Sequence, residues 1–110
     1  MTEQPAAARP EGDWARNLRA IEHLKAEMAA ALANLYRAML RASDEGMTEA
    51  LAAVVIAAYL LARRLGVGPT RLEMKIETRL RAALTEGHEL EEWYGDFSAL
   101  YRHFQGGSRR

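Results

Sequence analysis

The chain has 110 residues, with 15 basic and 15 acidic side chains and a formal net charge of zero. This length suits one domain, and the balanced charge offers no basic field for a nucleic acid and no polybasic cluster for an anionic membrane. Cysteine is absent, which excludes disulfides and thiolate chemistry and leaves carboxylates and histidines as metal ligands.

The composition favours helix throughout, because Ala, Leu, Arg and Glu are strong helix formers. Residues 1–12 lack an apolar segment, so we expect a disordered tail that is neither a signal peptide nor an anchor. Asp13 is the expected N-cap of a first helix that ends near Arg41. One apolar stripe with steps of three and four residues marks this helix: Trp14, Leu18, Ile21, Met28, Leu32, Leu35 and Met39. The polar residues 43–46 then predict a loop.

A second helix is predicted from about Met47 to Leu65, and it contains the uncharged run Ala50 to Ala62. At about 1.5 Å per residue this run covers roughly 20 Å, less than the about 30 Å hydrocarbon core of a bilayer, so no membrane span is expected. A helix that is apolar all round must be covered all round. We therefore expect a homo-oligomer, a dimer or tetramer, with this helix at the interface. The alternative is a helix buried inside a compact monomer.

The remaining chain predicts two more helices. Thr70 and Glu73 match a capping box that opens a third helix, and Gly87 is expected to end it. A last helix is predicted over 88–104, although Gly95 weakens it and offers Asp96 as the N-cap of a separate final turn. Residues 106–110 are expected to form a second disordered tail. The sequence thus predicts an all-α, four-helix, cytoplasmic protein with one domain at 13–105.

One segment of the second helix has a recognisable pattern. The stretch Glu-Ala-Leu-Ala-Ala-Val-Val-Ile-Ala-Ala-Tyr-Leu-Leu-Ala-Arg-Arg-Leu-Gly-Val at 49–67 resembles a signature helix of the MazG-like, all-α nucleoside triphosphate pyrophosphatases. The family's segment begins Glu-Glu-Leu-x-Asp, and an earlier family helix bearing Glu-Glu-x-x-Glu-Leu corresponds to residues 30–35. The ending at 91–104 is similar to that of short bacterial MazG-like proteins. The resemblance spans about residues 24–84 and implies an oligomeric MazG-like bundle.

The resemblance also implies a chemistry, in which carboxylates hold Mg²⁺ and the metal activates water to cleave a nucleoside triphosphate between its α- and β-phosphates. A polyanionic substrate needs metal ions to neutralise its charge and to hold the nucleophile. Carried over by position, the family's acids fall on Ala30, Ala31, Asn34, Glu49, Ala50 and Ala53. Glu49 alone is a carboxylate, and one carboxylate cannot hold a metal pair.

The resemblance places two basic residues, Lys75 and Arg79, near the positions that face phosphate. The alternative for both is an ordinary solvated charge on the third helix. Trp93 and Tyr94 are open to two interpretations as well, since they have the shape to stack a nucleobase and the helical spacing of core residues.

A second cluster of acids lies near the end of the chain. On a continuous helix Glu89, Glu92, Asp96 and His103 would share one face. This pattern predicts a divalent-cation site, with Glu49 as a further ligand, and its oxygen ligands favour Mg²⁺ or Mn²⁺. The alternative is a solvated acidic face.

Three functions remain open at this point. The first is a catalytically degenerate MazG-like protein that binds a nucleotide or another protein. The second is an active, Mg-dependent nucleoside triphosphate pyrophosphohydrolase whose carboxylate site has moved to Glu49 and the terminal acids. The third is a helical adaptor, unrelated to nucleotides, whose Ala-rich surface docks a partner. Release of pyrophosphate from a nucleoside triphosphate distinguishes the first function from the second.

Overall fold

A computed structural model describes residues 10–108 of the chain, and the side chains of 12–106. The described secondary structure is entirely helical: α1 (Pro10–Leu40), α2 (Asp44–Arg64), α3 (Pro69–Glu86), α4 (Glu89–Tyr94) and α5 (Asp96–Ser108). This confirms the all-α fold class. The helices group into two compact units, which divide between Val67 and Gly68: the first contains α1 and α2, and the second contains α3, α4 and α5. The single domain at 13–105 stays a prediction, and the predicted tails lie outside the described residues at 1–9 and 109–110.

The connection between α1 and α2 is shorter than the sequence suggested. Ala42, with φ 55°, ends α1 in the left-handed region, and the amide of Ser43 donates to the carbonyl of Ala38. The Ser43 hydroxyl then accepts a hydrogen bond of 3.1 Å from the amide of Gly46 and caps α2. Residues 44–46, which we predicted to be loop, therefore belong to the first turn of α2.

Glycine is needed at position 46 because the two helices approach closely there. A Cβ atom on Gly46 would lie 3.0 Å from the Ser43 hydroxyl oxygen and 3.1 Å from the Cβ of Ala38. Ala38 is 1% exposed, so it has little room to move away. The first unit is consequently a tight helical hairpin of α1 and α2.

Small side chains form the contact between α1 and α2. Ala31 and Ala38 of α1 and Ala50 and Ala57 of α2 are the residues of this hairpin that are buried. At the open end, Asn17 donates to the carbonyl oxygen of Arg64 over 3.2 Å. The uncharged run 50–62, which we predicted to lie at a subunit interface, thus includes two alanines that pack within the hairpin itself, Ala50 and Ala57.

The apolar stripe of α1 divides between a packed part and an exposed part. Ile21, Met28 and Leu35 are half-buried against α2, whereas Trp14, Leu18, Leu32 and Met39 are exposed. Asp13 lies inside α1 rather than at its N-cap, since the described helix already includes Pro10. The predicted apolar stripe is present on α1, but α2 covers only one side of it.

Helix α2 is apolar yet poorly covered. By length and composition it is long enough to cross a membrane, a test that the core helix of a soluble protein also passes, but here only 11% of its apolar window is buried. The helix predicted from about Met47 to Leu65 is present, and α2 has 21 residues, about 31 Å at 1.5 Å per residue. It is therefore longer than the 13-residue uncharged run from which a membrane span was judged too short. Glu49 lies inside α2. Within the described chain α2 is therefore not a buried core helix.

The second unit packs α3 against α5, with Leu80 as its buried residue. Helix α3 begins at Pro69 after an N-cap at Gly68 that makes no side-chain cap, so the predicted capping box of Thr70 and Glu73 is wrong. Gly87 ends α3 at φ 79°, as expected. A hydrogen bond to Tyr101 raises the pKa of Arg81 and links α3 to α5.

The predicted last helix is two helices. Gly95, with φ 67°, separates α4 from α5, so the described chain has five helices where four were expected. Asp96 is the first residue of α5 rather than its N-cap. Helix α5 continues to Ser108, which corrects the predicted tail at 106–110 for its first three residues.

Candidate functional site

The six positions that correspond to the family's acids lie together on one side of the α1–α2 hairpin. They line two adjoining cavities that share Asn34 and Ala53. We call the two cavities together the α1–α2 groove. The six positions carry the residues Ala30, Ala31, Asn34, Glu49, Ala50 and Ala53. The register taken from the sequence resemblance thus corresponds to one continuous surface of the folded chain.

The first cavity has a mostly apolar lining and a volume of about 400 Å³. We call it the apolar cavity. Its polar groups are Asn34 and the pair His23 and Glu27, whose side chains are 3.4 Å apart on successive turns of α1. The rest of the lining is aliphatic: Leu24, Ala30, Ala31, Ala53, Ile56, Ala57 and Leu60. This cavity suits a flat or apolar group with one polar edge.

The second cavity, of about 290 Å³, is more polar and contains two arginines, Arg37 and Arg41. We call it the arginine cavity. The Arg37 guanidinium donates to the side-chain oxygen of Asn34 over 2.6 Å. Glu49 is the one carboxylate in the lining, and the remaining residues are Ala38, Gly46, Ala50 and Ala53. Its charged groups therefore sum to a single positive charge.

The groove contains two carboxylates in all, Glu27 in the apolar cavity and Glu49 in the arginine cavity. Glu27 is paired with His23. Across the residues that the structure describes, no three His, Cys, Asp or Glu side chains are grouped so as to hold a metal ion. The arrangement in the groove favours contact with an anion over coordination of a cation pair.

The terminal acids do not lie on one continuous helix, because the helix breaks at Gly95, where the sequence analysis expected it to be weak. Glu89 and Glu92 lie on α4, and Asp96 lies beyond the break at Gly95. Glu49 belongs to the other unit. The cation site of Glu49, Glu89, Glu92 and Asp96 stays a prediction, without a described cluster to support it.

The acid with a defined role in this region is Glu91. Its carboxylate accepts hydrogen bonds from both the hydroxyl and the amide of Ser98, the latter over 2.9 Å. These two bonds, from the hydroxyl first, hold the pKa of Glu91 below its ordinary value. Glu91 therefore caps the N-terminus of α5 from α4, a structural role across the break at Gly95.

Lys75 and Arg79 both lie on α3 in the second unit. Arg79 lines a cavity of about 580 Å³ together with His88 and Phe97, whose rings are 4.9 Å apart. Lys75 is exposed and lines none of the three cavities described. Their phosphate-binding role stays a prediction.

Trp93 and Tyr94 are not core residues, since 62% and 72% of their surfaces are exposed. Their rings form an edge-to-face pair with centroids 6.2 Å apart. Helical spacing beside Leu90 and Phe97 favoured a buried position, but the short α4 leaves both rings on its surface.

Sequence analysis missed Arg37 and Arg41 as residues of the site. The signal was present, because Asn34, Arg37 and Arg41 follow one another at steps of three and four and so share one side of α1. His23 and Glu27 have the same spacing. The same spacing is typical of an ordinary solvated helix face, so the sequence alone does not distinguish a site here.

The folded chain belongs to the class of all-α proteins built on a helical hairpin with a lateral groove. Its sequence matches that of the MazG-like family over residues 14–97, and the chain belongs to the MazG-like family. Membership supports a nucleotide pyrophosphatase-like helical fold. Searches of curated proteins and of solved structures gave no match.

Proposed function

We propose that this chain is a catalytically degenerate MazG-like protein, which binds a nucleotide in the α1–α2 groove and does not hydrolyse it. The observation that carries the proposal is the lining of the groove. Six positions that correspond to the family's acids lie along it, and Glu49 is the only carboxylate among them.

The chemistry of pyrophosphohydrolysis explains why this lining argues against catalysis. Water must attack a phosphate that already carries negative charge, so metal ions are needed to neutralise the charge and to lower the pKa of the water. Mg²⁺ requires several oxygen ligands. Alanine occupies four of the six positions and provides no ligand, and Glu49 provides the one carboxylate among them.

Binding has better support than catalysis. The apolar cavity, at about 400 Å³, falls within the about 300–1,000 Å³ that is typical of small-ligand sites. It joins directly to the arginine cavity, whose Arg37 and Arg41 are suited to an anion. An apolar compartment beside a cationic one matches the two halves of a nucleotide, the base and the phosphates.

We also propose that the protein is a homo-oligomer, a dimer or tetramer, assembled through the side of the hairpin opposite the groove. At about 100° per residue, Leu51 and Val55 lie opposite the groove residues Ala53 and Ile56 on α2. By the same helix repeat, Leu18, Leu32 and Met39 of the exposed stripe lie on the side of α1 away from its groove residues. We call this surface the apolar face, which consists of Leu18, Leu32, Met39, Leu51 and Val55.

Burial of the apolar face contributes free energy of the same order as the cost of association. Its five side chains are each between 37% and 55% exposed, and covering the remainder contributes about 1 kcal/mol apiece, or about 10 kcal/mol over two copies. Association costs an estimated 4–15 kcal/mol. We propose a second copy of the chain as the partner that covers the apolar face, because a symmetric interface uses the same face of both subunits.

The proposed function is tested by incubating the purified chain with each common nucleoside triphosphate in Mg²⁺ and in Mn²⁺. We expect no pyrophosphate release above a protein-free control, together with a rise in melting temperature by at least one nucleotide. Chelator-sensitive release would instead support the active enzyme with a relocated site. Absence of both release and thermal shift would support the adaptor.

A further inference from the structure

We infer that the groove recognises nucleotide phosphate directly, through the guanidinium groups of Arg37 and Arg41, without a divalent cation. This inference rests on the proposed function and specifies how the ligand is held. It makes the arginine cavity the phosphate subsite and the apolar cavity the base subsite.

The two arginines are arranged for one shared ligand. They lie four residues apart on α1, on successive turns of the same side, and both line the arginine cavity. Arg37 is oriented by Asn34, whose side-chain oxygen accepts its hydrogen bond at 2.6 Å. The Asn34 amide nitrogen carries two further N–H donors. The subsite thus presents two guanidinium groups and one amide donor.

Competition for these arginines within the chain is weak. Among the described residues Arg41 has no ion pair within 4.0 Å, and neither does Glu49, although both line the same cavity. A guanidinium is planar and carries a fork of N–H donors that matches a phosphate group. Two of them, with Glu49 in the same lining, leave the cavity a net charge of +1 to meet the phosphates.

The same electrostatics makes a metal unfavourable here. A cation entering the arginine cavity would meet two fixed positive charges and a single carboxylate, Glu49. Magnesium that is already bound to the nucleotide lowers the negative charge available to Arg37 and Arg41. We therefore expect Mg²⁺ to leave affinity unchanged or to weaken it.

The test is a calorimetric titration of the full chain with the tightest-binding common nucleoside triphosphate, its monophosphate, its nucleoside and inorganic pyrophosphate, each in EDTA and in excess Mg²⁺. We expect the triphosphate to bind in EDTA at least as tightly as in Mg²⁺. Arg37→Gln and Arg41→Gln should each weaken it by about tenfold, and the double variant by about a hundredfold. The nucleoside should bind weakly to every variant.

The matched control is Arg16→Gln/Arg19→Gln. It removes the same charge from exposed positions of α1 that line none of the described cavities, about 27 Å or more from Arg37 along the helix. Its affinity should equal that of the wild type. Arg37→Lys/Arg41→Lys keeps the charge without the fork, and it should recover only part of the affinity.

Three results would overturn the inference. Binding that requires Mg²⁺ and is lost in Glu49→Gln would refute metal-free recognition and leave nucleotide binding intact. An equal loss in the control and in the Arg37 and Arg41 variants would refute the assigned subsite. Inorganic pyrophosphate binding as tightly as the triphosphate would refute the base subsite. If the wild type binds no nucleotide in either condition, the proposed function fails as well.

Discussion

Val55 lies on the side of α2 away from the groove, and it is 54% exposed in the chain. Replacing it with arginine therefore distinguishes an interface from a free surface. In an isolated chain this substitution changes stability by no more than about 0.5 kcal/mol, as at other surface positions. If the apolar face is covered by a second copy, each subunit buries one unpaired charge.

The magnitude in the assembled state follows from symmetry. An uncompensated buried charge costs about 3–5 kcal/mol, and a symmetric dimer contains the substitution twice. The expected total is about 6–10 kcal/mol, which raises the dissociation constant by more than about 10⁴-fold. A dimer of ordinary micromolar affinity would dissociate completely at any practical concentration.

The assay is light scattering coupled to size-exclusion chromatography, with circular dichroism to measure helix content. Val55→Arg should be a helical monomer. Ala57→Arg differs, because Ala57 is 5% exposed in the contact with α1, so it should unfold the hairpin whatever the oligomeric state. Sequence analysis had assigned that same position to the interface. Ala26→Arg, at an exposed position on α1, is the matched control and should behave like the wild type.

A well-folded wild-type monomer at micromolar concentration would refute the assignment of the apolar face to a second copy. A wild type that stays insoluble until detergent or lipid vesicles are added would also refute it, and would favour α2 as a membrane-associated helix. Unchanged association of Val55→Arg would show that the interface lies elsewhere on the chain.

Three further predictions concern the second unit. Hydrogen bonds from Ser98 depress the pKa of Glu91 from 4.5, so their stabilisation is present above that pH and is lost as pH falls through the lower folded-state pKa. Melting curves at acid pH should show this loss in the wild type, and Glu91→Gln should make the melting temperature less dependent on pH. Gly95→Ala should destabilise the fold by about 1–2 kcal/mol because φ is 67°, whereas Gly106→Ala, inside α5 with open space around it, should be neutral or stabilising in the same denaturant titration. Titrating Mn²⁺ should shift the melting temperature equally in the wild type and in the triple variant Glu89→Gln, Glu92→Gln, Asp96→Asn. A larger shift in the wild type would establish the terminal cation site.

The sequence was sufficient to predict the helical class but not the exact helix ends. Composition and periodicity favour helices strongly, and both are averaged over many residues. The start of α2 depends instead on one hydroxyl, that of Ser43, which captures the amide of Gly46 and brings residues 44–46 into the helix. Without knowledge of that bond, the polar residues 43–46 are as compatible with a loop as with the first turn of a helix.

Periodicity also could not tell which side of the α1 stripe is packed. Leu18 and Ile21 belong to one stripe in the sequence, yet Ile21 is half-buried and Leu18 is exposed. The contact with α2 uses the small residues Ala31 and Ala38, which carry little weight in an apolar pattern. The close approach of alanines places the two helices, and only some of the larger side chains of the stripe lie in the contact.

The sequence indicated one part of the candidate site, the positions of the family's acids, and not the other part, the two arginines. The six positions that the resemblance gives for the acids line one groove, because their spacing follows the helix repeat. The resemblance could not indicate that Arg37 and Arg41 complete that groove, since the arginines gain meaning only once α2 closes the arginine cavity. The terminal acids stay a prediction, and the one face that they would share on a continuous helix is interrupted at Gly95.

The central claim is that this groove binds a nucleotide and does not cleave it. The most direct measurement is pyrophosphate release from the common nucleoside triphosphates by the purified chain at saturating Mg²⁺ or Mn²⁺. We predict release no greater than in a protein-free control, under conditions where bound nucleotide stabilises the fold. Robust release that a chelator stops and that Glu49→Gln abolishes would contradict the claim.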